Sequence, residues 1–126
     1  MTGSVLIVDD EPNIVHSLRF LMTDAGLDVR IARDGDAALA AIAQRIPDVV
    51  LLDVKLPGSD GYEVCRTIRM NPAWREVRII MLTARGRDSE RAKGLELGAD
   101  AYITKPFSTR ELVEQVKRFL EDSAGP

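Results

Sequence analysis

Two adjacent acids, a third acid, a hydroxyl and an amine occupy the chemistry-bearing positions of this chain: Asp9 and Asp10, Asp53, Thr83 and Lys105. Each set closes a short apolar run: Val5-Leu6-Ile7-Val8, Val49-Val50-Leu51-Leu52, Ile79-Ile80-Met81-Leu82 and Ala101-Tyr102-Ile103-Thr104. Carboxylates gathered in one partly dry cleft repel, and the relief is protonation or a bound cation. Hard oxygen ligands with no second histidine or cysteine favour Mg²⁺, with Mn²⁺ as the alternative. An aspartate in such a site can act as a nucleophile toward phosphorus. Charge developing on phosphoryl oxygens needs partners, and Thr83 offers a hydroxyl and Lys105 an ammonium.

For these residues to meet, the apolar runs must be neighbouring strands. Val49 to Asp53 carries four apolar residues without alternation, the pattern of a strand covered on both faces. Val5 to Val8, Arg78 to Thr83 and Ala101 to Thr104 read the same way, and Val29 to Ala32 adds a short strand at an edge. The spacing predicts a first helix from Pro12, which suits a first turn, to about Ala25, with Gly26 as its stop. Ile14, Val15, Leu18, Leu21, Met22 and Ala25 form its inner face; Asn13, His16, Phe20 and Asp24 lie opposite. Asp34 caps a second helix through Gln44, with Leu39 and Ile42 inward. Lys55, Pro57, Gly58 and Gly61 read as a loop. Asp60 and Glu63 make a capping pair for a third helix with Val64, Cys65 and Ile68 inside, broken at Asn71-Pro72. A fourth helix is expected from about Asp88 to Leu97, weakly patterned and interrupted by Gly94. Ser108 and Glu111 form the capping box of a fifth, with Leu112, Val113, Val116, Phe119 and Leu120 as its buried stripe.

Five strands alternating with five helices imply a doubly wound, flavodoxin-like (βα)5 fold. Its five-stranded parallel sheet takes the order 2-1-3-4-5 with right-handed crossovers. Strands one and three are then neighbours, and Asp9, Asp10 and Asp53 converge at the switch point between them. The length suits one domain, placed at 1–122, with 123–126 as a tail or the start of a linker.

Composition excludes several classes. With 17 Lys+Arg against 20 Asp+Glu the net charge is −3, no electrostatic reason to expect nucleic acid or an anionic membrane. No apolar run approaches the ~20 residues of a membrane span, and Val5 to Val8 is too short for a signal peptide. Cys65 and His16 are the only residues of their types, which leaves no disulfide and no zinc cluster. Together these features point to a soluble, cytoplasmic protein. His16 reads as a surface histidine and Cys65 as a small core residue; Trp74 has no functional reading.

The constellation resembles the receiver domain of bacterial two-component response regulators. The residues that carry it are Asp9-Asp10, Asp53, Leu56-Pro57-Gly58-x-Asp60-Gly61, Thr83-Ala84, Gly98-Ala99-Asp100 and Lys105-Pro106-Phe107, spanning Val5 to Leu120. The resemblance implies that Asp53 is phosphorylated by a phosphohistidine on a histidine kinase or phosphotransfer protein. Asp10 would ligate Mg²⁺ directly, Asp9 through water, and Lys55 through its backbone carbonyl. Lys105 would pair with a phosphoryl oxygen, and Thr83 would bond another after phosphorylation. Tyr102 matches the aromatic switch position, its ring turning inward as Thr83 moves. The bond before Pro106 is expected to be cis. The first helix is where the donor docks in such domains, which assigns Phe20, with Ile14 and Ser17, to donor contact. Phosphorylation would shift the surface of the fourth helix, fifth strand and fifth helix toward a form read by a target or output domain. Arg91, Lys93, Glu111 and Arg118 offer charges for a phosphorylation-dependent dimer, the alternative being a monomer. Lys55 and Arg85 flank the site at positions that influence how fast the phosphoryl group is lost.

Three other classes fit less well. A haloacid-dehalogenase-like phosphohydrolase needs an acid two residues after its nucleophile, where this chain has Lys55. A flavodoxin-like flavin binder needs a phosphate-cradling loop after strand one, where Asp9-Asp10-Glu11 stands. A degenerate receiver serving only as a binding module would lack site residues, and all five are intact here.

Overall fold

Apolar runs become strands here because a parallel sheet buries both of their faces. In this computed structural model, which describes residues 3–83, 96–104 and 106–124, all five positions of Val49–Asp53 (β3) are buried. Ser4–Val8 (β1), Asp28–Ala32 (β2), Arg78–Thr83 (β4) and Ala101–Thr104 (β5) join it in one parallel sheet of order β2-β1-β3-β4-β5. The expected topology is therefore the observed one. Register sets what meets at the carboxyl ends: Val8 lies opposite Leu52, Asp53 opposite Leu82, and Thr83 opposite Thr104.

Four described helices cover the sheet. Cys65 and Ile68 on Gly61–Met70 (α3) and Ile42 on Gly35–Gln44 (α2) pack with Leu6, Val50, Ile79 and Met81 on one face. Leu18 and Met22 on Pro12–Asp24 (α1), with Leu112 and Val116 on the C-terminal helix Thr109–Ala124, pack with Ile7, Leu51, Ile80 and Leu82 on the other. Pro12 opens α1, and Gly26 follows it at φ +86°, a left-handed conformation that glycine adopts without cost. Asp34 caps α2 by accepting from the Ala37 N–H at 2.7 Å, and Asp60 caps α3 through the Glu63 N–H at 2.8 Å. Asp34→Ala is expected to lower the unfolding free energy by about 1 kcal/mol, read from a urea midpoint with unchanged slope.

Two stretches differ from expectation. Lys55 to Asp60 is not a simple loop: Lys55–Leu56 pairs antiparallel with Ser59–Asp60 around Pro57-Gly58. Strands of two residues are too short to carry a periodic signal. The C-terminal helix continues to Ala124, two residues into the stretch read as a tail. The helix expected from about Asp88, with Arg91, Lys93 and Gly94, lies outside the described residues up to position 95. Ala84, Arg85, Gly86 and Lys105, with its bond to Pro106, lie outside them as well. Among the described residues no helix is long and apolar enough to cross a membrane.

Charged side chains fasten the amino-terminal edge of the sheet. Arg30 reaches from β2 to donate to the Ala41 carbonyl at 2.8 Å and to the Arg45 carbonyl, closing an α2 C-terminus that has no basic residue of its own. At the far corner, Arg69 in the last turn of α3 donates three ways: Nε to the Gly98 carbonyl (2.7 Å), Nη1 to the Val77 carbonyl (2.7 Å) and Nη2 to Asp100 Oδ2 (2.6 Å). Asp100 also accepts from the Ile79 N–H at 2.8 Å and lies 3.4 Å from Arg78 Nη1. The Arg78 guanidinium in turn stands 5.6 Å from the centre of the Phe119 ring. Trp74, in the short 3-10 turn Pro72–Trp74, packs on the α2–α3 core from this corner.

Cys65 is buried, as expected, with its Sγ 3.8 Å from the Leu97 carbonyl. Burial pushes its thiol up to about 11, Asp100 adding to the shift and Arg69 opposing it. The folded state thus resists forming a thiolate that the unfolded chain forms near the ordinary value of 9.0. This contribution to stability is whole below that value and is lost as pH rises toward 11. Urea midpoints across that range should fall more steeply for the wild type than for Cys65→Ala, which has no thiol to titrate.

Candidate functional site

The carboxyl ends of β1 and β3 lie side by side, so the residues that follow each strand must share a space. Asp9, Asp10 and Asp53 do so: one carboxylate oxygen from each lies within 4.8 Å of the other two. Asp9 and Asp53 are buried, at 1% and 9% exposure, while Asp10 faces solvent. The backbone explains the difference. The Asp9 N–H donates to the Ala32 carbonyl at 3.1 Å, continuing the β1–β2 ladder by one residue, and the chain then turns outward into α1. Asp9 Oδ1 accepts from the Glu11 N–H at 2.9 Å, so one of its oxygens is committed to the helix entry. The contact precedes the helix: Glu11 is the N-cap of α1 and no side chain caps it, so the capping role that a lone Asp would suggest is not the one Asp9 plays.

Asp53 is held by the strand end and by the hairpin that follows. The Val54 N–H donates to the Leu82 carbonyl at 3.1 Å, extending the β3–β4 ladder past the acid. The Lys55 N–H approaches Asp53 Oδ1 at 3.4 Å, a long contact in which the backbone faces the carboxylate. The Lys55 side chain is exposed. The Gly61 N–H then donates to the Val54 carbonyl at 2.6 Å, folding the start of α3 back onto the strand end. That approach leaves no room for a side chain: a Cβ on Gly61 would stand 2.2 Å from the Asp53 carbonyl oxygen.

Thr83 closes β4, one residue past the partner of Asp53, and is 5% exposed. Its register partner Thr104 ends β5, so the chain carries Lys105 next in sequence; Lys105 itself lies outside the described residues. Tyr102 points into the sheet interior at 6% exposure, packed with Val64, Cys65 and Met81. The inward ring orientation is thus the one in this structure. Its hydroxyl stands 3.5 Å from that of Tyr62, itself 9% exposed. Tyr62 was not singled out from sequence; its only signal is a place in the first turn of α3 on the buried phase. Asp100 carried a motif without a role, and its ion pairs to Arg69 and Arg78 supply one.

On α1 the three residues assigned to donor contact are unequally exposed. Ile14 is half-buried against the core with Phe107 and Val113 nearby in the same cluster, whereas Ser17 is exposed. Phe20 is exposed and lines a shallow depression with His16, Arg19 and Thr23. The hundred-degree step of a helix separates position 20 from position 14 by a third of a turn.

Chemically, three clustered hard oxygen ligands suit a divalent cation, and the buried hydroxyl of Thr83 lies across the sheet from the acid that ends the central strand. A family model for the response regulator receiver domain matches residues 5–117. Solved structures agree. A response regulator from Chloroflexus aurantiacus is 41% identical, with 95% of this chain and 98% of that one covered and a TM-score of 0.91. The BeF3-activated N-terminal receiver domain of Klebsiella pneumoniae RstA is 31% identical, covers 94% and 98%, and has a TM-score of 0.87. NtrX from Brucella abortus is 34% identical over 98% of this chain but only 28% of its own length, with a TM-score of 0.88. The order of strands, the acids at their ends and this likeness across nearly every residue have one reading: the chain belongs to the response regulator receiver domains, the phosphoacceptor modules of two-component signalling.

Proposed function

We propose that Asp53 accepts a phosphoryl group from a phosphohistidine of a sensor kinase or histidine phosphotransfer protein, with Mg²⁺ held beside it. The observation that carries this reading is the approach of the Asp9, Asp10 and Asp53 oxygens to within 4.8 Å, across the sheet end from Thr83. The donor set fits the ion: carboxylates and a carbonyl, with solvent access through Asp10. Asp10 and Asp53 ligate it directly and Lys55 adds its backbone carbonyl. Asp9, with Oδ1 already occupied by the Glu11 N–H, acts through water. When bound, Mg²⁺ offsets the carboxylate charge and leaves Asp53 able to approach an anionic donor.

In the transfer, an Asp53 oxygen forms the O–P bond as the N–P bond of the donor breaks and the imidazole leaves. Lys105 pairs with one phosphoryl oxygen and the Thr83 hydroxyl donates to another. Phe20, with Ser17 and the exposed edge of Ile14, meets the donor. The domain promotes its own phosphorylation and dephosphorylation and turns over no external substrate. Tyr102 stays inward as Thr83 engages, and the surface of β5 and the C-terminal helix changes with it. A cleft there, lined by Tyr102, Ile103, Glu111, Glu114, Gln115 and Arg118, is where a target, an output domain or a second copy reads the state. The module works in the cytoplasm as a monomer or a phosphorylation-dependent dimer, without direct contact to membrane or nucleic acid.

The test is intact mass after incubation with Mg²⁺ and acetyl phosphate, wild type beside Asp53→Ala. A single phosphoryl adduct, lost with chelation and absent from the variant, is expected. An adduct that persists in the variant, or none in the wild type with either acetyl phosphate or a phosphorylated kinase, would sink the reading.

A further inference from the structure

Tyr62 has no part in the scheme above, yet it connects the acid cluster to Tyr102. Its backbone is fixed on both sides. Asp60 caps the turn through the Glu63 N–H, and the Gly61 N–H is bonded to the Val54 carbonyl. Gly61 rests directly on the Asp53 carbonyl, so the Tyr62 ring enters the core from a point that cannot drift relative to the acid. The ring lies with Val64, Cys65, Met81 and Tyr102 in the core on the α2–α3 side. Its hydroxyl stands 3.5 Å from the Tyr102 hydroxyl, at the outer limit of direct bonding, and either oxygen can donate. A phenol in an apolar interior keeps a polar neighbour at a free-energy advantage. An outward turn of Tyr102 carries its oxygen away from Tyr62.

We propose that Tyr62 is a positioning residue whose hydroxyl holds the Tyr102 ring inward before any phosphoryl group arrives. The ring orientation is then set from α3 and the Asp53 strand end as well as from Thr83. The contact stands on the geometry alone; its consequence for signalling rests on the switch reading of Tyr102 given above. Loss of one hydroxyl contact shifts the inward-to-outward ratio by roughly two- to tenfold.

The chain contains two tyrosines, so ring-¹³C tyrosine labelling yields two sets of ring signals, assigned with Tyr102→Phe. The measurement is relaxation of the Tyr102 ring by a soluble nitroxide, in wild type and in Tyr62→Phe, first without ligand and then with Mg²⁺ and beryllofluoride. Without ligand, Tyr62→Phe should raise the nitroxide effect on Tyr102 severalfold while the amide spectrum stays that of a folded domain. An unchanged effect in the folded variant overturns the proposal. So does a variant that fails to fold, since the hydroxyl would then hold the core rather than the orientation of one ring. Beryllofluoride should return Tyr102 in the variant to the protected value. If it leaves Tyr102 unprotected there, the switch reading fails, while the ligand-free comparison still decides the role of Tyr62.

Discussion

Gly61→Ala is expected to slow phosphorylation of Asp53 by about tenfold to a hundredfold although it replaces none of the proposed site residues. The added Cβ would stand 2.2 Å from the Asp53 carbonyl oxygen, 2.8 Å from the Val54 Cα and 3.0 Å from the Asp53 carbonyl carbon. All three are backbone atoms, so no rotamer change relieves the overlap. Either α3 backs away from the strand end or Asp53 moves out of line with Asp9, Asp10 and Thr83. Overpacking of this kind also costs about 1–3 kcal/mol of stability. The control is Gly26→Ala, where a Cβ meets nothing within 4 Å. The strain of its left-handed backbone, φ +86°, costs about 1–2 kcal/mol without touching the acids. Rates of acetyl phosphate labelling, set beside urea midpoints, separate the two: similar stability losses but a rate loss only at Gly61. Equal rates in both variants would mean that α3 can shift without disturbing Asp53.

Arg69→Met is expected to cost about 2–3 kcal/mol, the largest loss for any single charged residue described above. Three hydrogen bonds go together, to Gly98, Val77 and Asp100. The Asp100 carboxylate, 20% exposed, keeps only the Ile79 N–H and a longer approach from Arg78. Solvent reaches the pair enough to hold the figure below that of a fully buried ion pair. Methionine retains most of the stem that packs over Gly98, so the measurement isolates the guanidinium. The comparison is Arg45→Met, which breaks the exposed pair with Asp28 and should cost under about 1 kcal/mol. A urea midpoint for Arg69→Met no lower than that of Arg45→Met would show that the corner between α3, β4 and β5 is held by packing alone.

Much of this architecture was legible because a parallel sheet writes itself plainly. Val49–Asp53 and Arg78–Thr83 match their apolar runs to within a residue at each end, since central strands are buried on both faces, and the edge strand Ala101–Thr104 was legible from its short β-prone run although it is only partly buried. The caps at Asp34 and Asp60 were legible for a local reason, a side chain bonding a backbone group three residues away. Asp9, Asp10 and Asp53 could be brought together because topology, not side-chain detail, places strand ends beside one another. What escaped is non-local. The hairpin at Lys55–Asp60 is held by pairing too short to pattern. Asp100 finds Arg69 across 31 positions, a distance over which sequence says only that opposite charges exist. Tyr62 and Tyr102 are 40 positions apart and meet only because α3 and β5 share one core.

The sheet divides the interior into two rooms with no door between them. Val50 and Leu51 are bonded neighbours, yet Val50 belongs with Ile79 on the α2–α3 side and Leu51 with Ile80 on the other. Substitutions in different rooms share backbone but few side-chain neighbours, so their energetic effects should add; those within a room compete for the same space and should not. Variation on one side is therefore tolerated largely without reference to the other. The exception is the row of carboxyl ends, where both rooms stop and the acids that follow β1 meet the one that ends β3.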